Sequence, residues 1–181
     1  SLNWEENILI GSEINSKLSK LLNRRYITFV GNRFEYKNAI ILFEILKNIS
    51  DLDLIFIGGE KPSIEEIQKI NNYGLNNRIH FLKANDWELK IIMKKSYAIC
   101  ITSKMEGFSI PLIEGLYLDV PIIASNIPVH KEVGGKFANL LEPNNPNEWI
   151  NIIEHHLFKK PSEIASIENY KKIKKYLSYD R

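Results

Sequence analysis

Two glutamates, Glu106 and Glu114, stand eight positions apart in the stretch SKMEGFSIPLIEGLYLDVPIIASN, which runs from Ser103 to Asn126. Between them lie Gly107, Phe108, Ser109 and Ile110, and then Pro111, a residue suited to the first turn of a helix. The amides from Gly107 to Ile110 then become unpaired helix-start donors, able to hold an anion. Glu114 falls about one turn into that helix. A carboxylate there can accept two hydrogen bonds from a vicinal diol such as a ribose, and Glu106 can do the same for a hexose. The pair therefore reads as two diol clamps flanking a phosphate-binding helix end, not necessarily as an acid and a base. Favourable placement near a helix start accounts for Glu114 on its own. It does not account for Gly107, Phe108 and Ser109, nor for Gly115, since a glycine inside a helix costs about 1 kcal/mol relative to alanine.

A second candidate loop is VGNRFEYKN, Val30 to Asn38. Gly31 allows close backbone approach. Arg33 and Lys37 sit where a helix pattern begins, and two cations beside a helix N-terminus suit a diphosphate. A solvated first turn is the alternative, although a lysine there opposes the helix dipole. Gly58 and Gly59 in IGGEKPS read as a turn, with close approach to a ligand as the alternative. The pair Asp51 and Asp53 resembles a metal-binding D-x-D but precedes its strand, at the wrong edge for a site. The four histidines, His80, His130, His155 and His156, read as structural, and no cluster has metal-ligand spacing.

These residues need a scaffold, and the apolar pattern supplies one. Short β-branched runs alternate with longer amphipathic ones. The strands are Tyr26 to Val30, Leu54 to Gly58, Arg78 to Leu82, Tyr97 to Thr102, Pro121 to Ser125 and Phe137 to Leu141. Helix patterns follow the first strand through Leu46, then cover Ser63 to Tyr73, Trp87 to Lys95 and Pro111 to Leu118. Two more, Pro146 to Phe158 and Pro161 to Leu177, close the chain. Ser63 three residues before Glu66 makes a capping box. Alternation of this kind predicts an α/β domain: a Rossmann-like, doubly wound parallel sheet of about six strands. Ligands of such sheets bind beyond the carboxyl ends of the strands, where both candidate loops fall.

A chain of 181 residues, 44% hydrophobic and 25% charged, has one packed domain's worth of core. A net charge of +2 argues against nucleic acid as a partner. No apolar run approaches the ~18 residues of a membrane-spanning helix. The single cysteine, Cys100, reads as a buried core thiol and suits a reducing compartment. The lysine-rich end reads as a solvated surface helix, with contact to an anionic membrane as the alternative.

EGFSIPLIEG with the following VPIIASN resembles the E-x7-E signature of retaining GT-B glycosyltransferases of family 4 (group 1). VGNRFEYKN resembles their first phosphate loop, and RIHFLKANDWELKIIMKKSYAICITS the segment between. The resemblance covers about Tyr26 to Phe158. It implies the C-terminal, donor-binding half of a GT-B fold, residues 25–181, with residues 1–24 a lead-in from the interdomain linker and the N-terminal acceptor domain absent. It implies transfer of a hexose from a nucleotide-diphosphate sugar to a glycan or lipid-linked acceptor, without metal or other cofactor. Glu106 would contact the transferred sugar, helped by Gly107, Phe108, Ser109 and Ile110. Arg33 and Lys37 would neutralise the diphosphate, beside Gly31 and Asn32. Asn32 stands where members commonly carry arginine. Glu114 would hold the ribose, and Leu82, Lys83 and Ala84 would meet the base. A half of a nucleotide-sugar epimerase and a non-catalytic nucleotide-sugar-binding module are the alternatives. The implied location is the cytoplasm, with the full-length enzyme able to touch the inner face of the membrane.

Overall fold

The computed structural model describes residues 16–157. The helix expected from Pro161 to Leu177, and with it the lysine-rich end, lies outside the described residues, as does the start of the lead-in. Chain order is α1 (Ser16–Leu22), β1 (Tyr26–Val30), a 3-10 turn (Glu35–Lys37), α2 (Ile41–Asn48), β2 (Asp53–Ile57), α3 (Ile64–Asn72), β3 (Ile79–Leu82) and α4 (Asp86–Lys95). It continues with β4 (Ile99–Ile101), α5 (Ile110–Tyr117), β5 (Ile122–Ser125), α6 (Pro128–Gly134), β6 (Ala138–Leu141) and α7 (Pro146–Leu157).

The six strands form one sheet in the order β3-β2-β1-β4-β5-β6, and every neighbouring pair is parallel. The central strands β1, β2, β4 and β5 are largely apolar and buried, as a doubly covered sheet requires. Ile27 and Phe29 of β1 pack with Phe43, Leu46, Trp149 and Ile153 under α2 and α7. Tyr26, on the opposite face, packs with Leu21 of α1 and Ile92 of α4. Ile99, Ile101, Leu112, Leu116 and Ile122 fill the space under α5. Cys100 sits in the first of these clusters, and burial pushes its thiol pKa up.

Strand order reverses between β1 and β4. In a doubly wound sheet the loops leaving two such strands diverge to opposite faces and open a crevice between them. The loop after β1 and the loop after β4 are the two that carry the candidate residues.

Three local features differ from the sequence pattern or add to it. Residues 16–22 are helical, and Leu21, 6% exposed, joins the core, so this part of the lead-in belongs to the packed unit. The helix after β1 starts only at Ile41, so Lys37 lies in a 3-10 turn and not at a helix start. Residues 128–134 form a helix that no periodicity announced. It has seven residues, and Ile127 at its N-cap makes no side-chain cap. Among the described residues no helix is long and apolar enough to cross a membrane.

Candidate functional site

The loop after β1 is held in a defined shape. Gly31 has φ +114°, a region that a side chain rarely adopts, and its N–H donates to Ile57 O at 2.9 Å. The following 3-10 turn is clamped to the end of β4. Thr102 Oγ1 donates to Lys37 O at 2.6 Å, and Lys104 N–H donates to Tyr36 O at 2.7 Å. Asn38, at φ +51°, donates its side-chain amide to Pro143 O at 2.8 Å. These bonds carry the Lys37 ammonium across the switch point to Glu106, where Nζ stands 3.0 Å from Oε1.

The Glu106 side chain is 3% exposed, yet it is strongly supported. Ser103 Oγ donates to Oε1, Lys37 pairs with the same oxygen, and His130 Nε2 lies 3.9 Å from it. Burial alone would raise the carboxyl pKa. The neighbouring His130, the Ser103 hydroxyl and the Lys37 ammonium together outweigh burial and hold it at about 2. Glu106 is therefore a carboxylate at neutral pH. All three supports address Oε1, and no described residue hydrogen-bonds Oε2.

The helix after this loop opens differently from its neighbours. α3 and α4 each begin with a capping box, at Ser63 with Glu66 and at Asn85 with Glu88. α5 has Ser109 at its N-cap, without a side-chain cap, and Pro111 second. Its first amides therefore have no side-chain cap. Phe108 and Ile110 beside them are exposed.

Glu114 does not share the surroundings of Glu106. It lies half-buried on α5 toward α4, lining a cleft of about 450 Å³ with Asp86, Lys90 and Tyr117. Burial raises its carboxyl pKa, Lys90 opposes this and Asp86 adds to it. Gly115 has a packing reason instead of a ligand-binding one. A Cβ there would stand 2.3 Å from Ile122 Cδ1 and 2.7 Å from Ile99 Cδ1.

Arg33 departs from its expected place. Its guanidinium pairs with Glu66 at 2.7 Å and donates to Glu60 O at 2.6 Å and Gly58 O at 3.4 Å. It sits 4.7 Å from the Phe81 ring centroid and 5.3 Å from that of Phe56, with the side chain 5% exposed. The Gly58–Gly59 turn closes over it, with φ +84° and +73°. Arg33 thus braces the β1 and β2 loops from within, and Lys37 is the cation brought to Glu106. Asn32 is exposed on the rim of a cleft of about 540 Å³ that also touches Phe34, Lys61 and Lys104. Leu82 ends β3, and Lys83 and Ala84 follow at the same carboxyl edge.

At the opposite edge Asp53 pairs with Arg24 at 3.0 Å and with His80 Nε2 at 2.7 Å. No group of three or more His, Cys, Asp or Glu among the described residues is arranged to hold a metal. The sequence pattern did not single out Ser103, and it read His130 as structural. The available signal was position: Ser103 follows β4, and His130 enters just after β5, both at the carboxyl edge.

The family model described as Glycosyl transferases group 1 matches residues 12–176. The O-antigen chain mannosyltransferase RfbU of Salmonella typhimurium is 30% identical over 156 residues, covering 84% of this chain and 44% of that protein. The alpha-1,3/1,6-mannosyltransferase ALG2 of Dictyostelium discoideum is 31% identical over 108 residues, covering 54% of this chain and 26% of that one. The chain spans less than half the length of these relatives. HepE of Anabaena, solved with UDP-glucose, superposes with a TM-score of 0.70 at 22% identity, over 90% of this chain and 52% of that one. The C-terminal domain of the group 1 family protein LpcC from Francisella tularensis gives 0.65 at 21%, over 82% and 80%. At such identities the shared property is the fold.

Proposed function

The chain belongs to the group 1 glycosyl transferases, and on that premise we propose that it is the donor-binding half of a retaining, metal-independent hexosyltransferase. The donor is a nucleotide-diphosphate sugar drawn from the cytoplasmic pool, and the acceptor is a growing glycan or a lipid-linked sugar. The observation that carries this reading is the meeting of Lys37, the buried Glu106 carboxylate and an uncapped helix start at the switch point.

Cleavage of the bond between the sugar C1 and the phosphate oxygen leaves negative charge on the departing diphosphate, and groups that meet this charge lower the barrier. Lys37 and the first amides of α5 supply positive charge and N–H donors without a metal. Glu106 Oε2, with no bond from the described residues, accepts from a hydroxyl of the hexose. Glu114 accepts from the ribose, with Leu82, Lys83 and Ala84 along the base. The acceptor hydroxyl attacks C1 from the face that the diphosphate leaves, and its proton passes to the departing phosphate oxygen. The relatives named as mannosyltransferases make GDP-mannose the first donor to try, with UDP-hexoses beside it.

Calorimetric titration of the chain with UDP, GDP and their hexose conjugates, with and without EDTA, tests this. Binding of one nucleotide series, unchanged by EDTA, is expected. Glu114→Ala is expected to weaken binding of the nucleotide itself, while Glu106→Ala removes only the added affinity of the sugar. Equal nucleotide affinity in Glu114→Ala and wild type would sink the ribose assignment, and loss of binding in EDTA would sink the metal-free mechanism.

A further inference from the structure

Three buried side-chain polar atoms lack a hydrogen-bond partner among the described residues: Ser109 Oγ, Ser125 Oγ and His130 Nε2. Such atoms are rare, because each forgoes its bonds to water without replacement. Their residues lie at the N-cap of α5, at the end of β5 and inside α6, all at the carboxyl edge of the sheet. His130 is the one with a charged neighbour. Its ring is fully buried and its Nδ1 lies 2.8 Å from Ser125 O. A carbonyl oxygen only accepts, so Nδ1 carries a proton and the ring orientation is set. Nε2 then points at Glu106 Oε1 from 3.9 Å, beyond hydrogen-bonding distance. In the neutral ring this nitrogen is an acceptor facing a carboxylate. In the imidazolium it is a donor, and the contact becomes an ion pair.

The charged groups shown around this contact are Glu106 and Lys37, and Ser103 supplies the remaining bond to the carboxylate. Lys37 has two demands on it. It pairs with Glu106, and on the reading above it also meets the donor diphosphate. When the ammonium turns to the diphosphate, a buried carboxylate loses its cation, which is unfavourable unless another replaces it. We propose that His130 is a positioning residue for Glu106: it takes up a proton as the donor binds and replaces Lys37 on Oε1, so that Oε2 stays aimed at the sugar. The inference rests on the donor-site reading. The proton comes from solvent and returns when the diphosphate leaves.

The test is calorimetry of the chain with UDP, GDP, UDP-glucose and GDP-mannose at pH 7, in two buffers of different ionisation enthalpy. The difference between buffers reports protons taken up on binding. Wild type is expected to take up a fraction of a proton with the nucleotide sugar. His130→Asn keeps an N–H at the Nδ1 position for Ser125 O and removes the group facing Glu106. It is expected to lose the proton uptake and to lose roughly tenfold of the affinity that the sugar adds, the worth of a hydrogen bond to a charged group. His130→Gln puts a neutral donor at the Nε2 position. It is expected to lose the uptake but to retain most of the preference for the sugar conjugate. A purely structural histidine gives the reverse order, with His130→Asn like wild type in both readouts, and that result overturns the proposal. So does wild-type binding with no proton uptake. Failure of the underlying donor reading shows earlier and separately, as absence of binding of all four ligands by wild type, and it takes this inference with it.

Discussion

Glu106 and Glu114 carry the same functional group and respond to pH in opposite senses. In Glu106 the folded-state pKa of about 2 lies below the ordinary 4.5, so its ion contacts stabilise the fold above the ordinary value and lose that effect as pH falls toward about 2. Denaturant melts of wild type and Glu106→Gln are expected to differ most near neutrality and to converge between those two values. A gap that does not change with pH would show that charge is not what holds this side chain. In Glu114 the pKa is raised, mainly by burial, so the fold is penalised when it ionises. Glu114→Gln is therefore expected to melt no lower than wild type at pH 7, and the gap should close as acid protonates both states. On the proposed ribose role, Glu114 is kept at a small cost to stability, a common arrangement for functional residues. A lower melting temperature for Glu114→Gln would mean that its ionised contact with Lys90 outweighs its burial.

At the level of elements, one carboxylate joins two neighbouring pieces of the fold. Glu66 Oε2 accepts from Ser63 N–H at 2.7 Å, closing the capping box of α3, while Oε1 pairs with Arg33 at 2.7 Å. The loop after β1 is thereby fastened to the helix after β2. Arg33→Ala leaves a nearly buried carboxylate without its cation, and breaking such pairs costs on the order of 3 kcal/mol. Arg33→Lys is expected to recover little of this, because one ammonium cannot reproduce the fork that reaches Glu66, Glu60 O and Gly58 O. Urea melts would check both, and a loss for Arg33→Ala below about 1 kcal/mol, the range of an exposed pair, would place Arg33 at the surface. The contact between α5 and the sheet has a similar test. Gly115→Ala improves helix propensity but drives a methyl into Ile122 and Ile99, both 1% exposed or less. The expected net loss is about 1–3 kcal/mol, as for other overpacked cores. Ile122→Val removes the Cδ1 that a new methyl would strike. The double variant should therefore lose less than the sum of its parts, and strict additivity would contradict the close approach.

At the scale of the whole molecule, the reversal of strand order between β1 and β4 sets which loops face each other. The loops after β1, β3 and β4, which carry most of the proposed donor groups, all leave the carboxyl edge of one sheet. The chain covers 44% of the mannosyltransferase RfbU, so the acceptor's groups are proposed to come from elsewhere in a longer protein. The expected behaviour of the 181-residue chain is nucleotide binding with negligible sugar transfer. Radiolabelled transfer assays alongside a full-length group 1 relative would check it, and turnover at the relative's rate would show that this half is sufficient.

What the sequence determined by itself is local and periodic. Alternating short apolar runs and amphipathic stretches specify a parallel sheet, because strands covered on both faces must be apolar throughout. The capping box at Ser63 follows from side chains only three residues apart, and the loop from Glu106 to Ser109 was marked by residues that a plain helix start does not need. The tertiary structure decided which polar side chains meet. Arg33 and Lys37 are four residues apart and look alike on paper, yet one turns to Glu66 and the other to Glu106. Gly115 looks functional until Ile99 and Ile122 arrive from two strands to fill its space. His130 lies 24 residues beyond Glu106 and reaches it only because β5 is parallel to β4 and delivers α6 to the same edge. Contacts of this kind depend on strand order and on the direction each chain leaves the sheet, and no spacing along the chain encodes them.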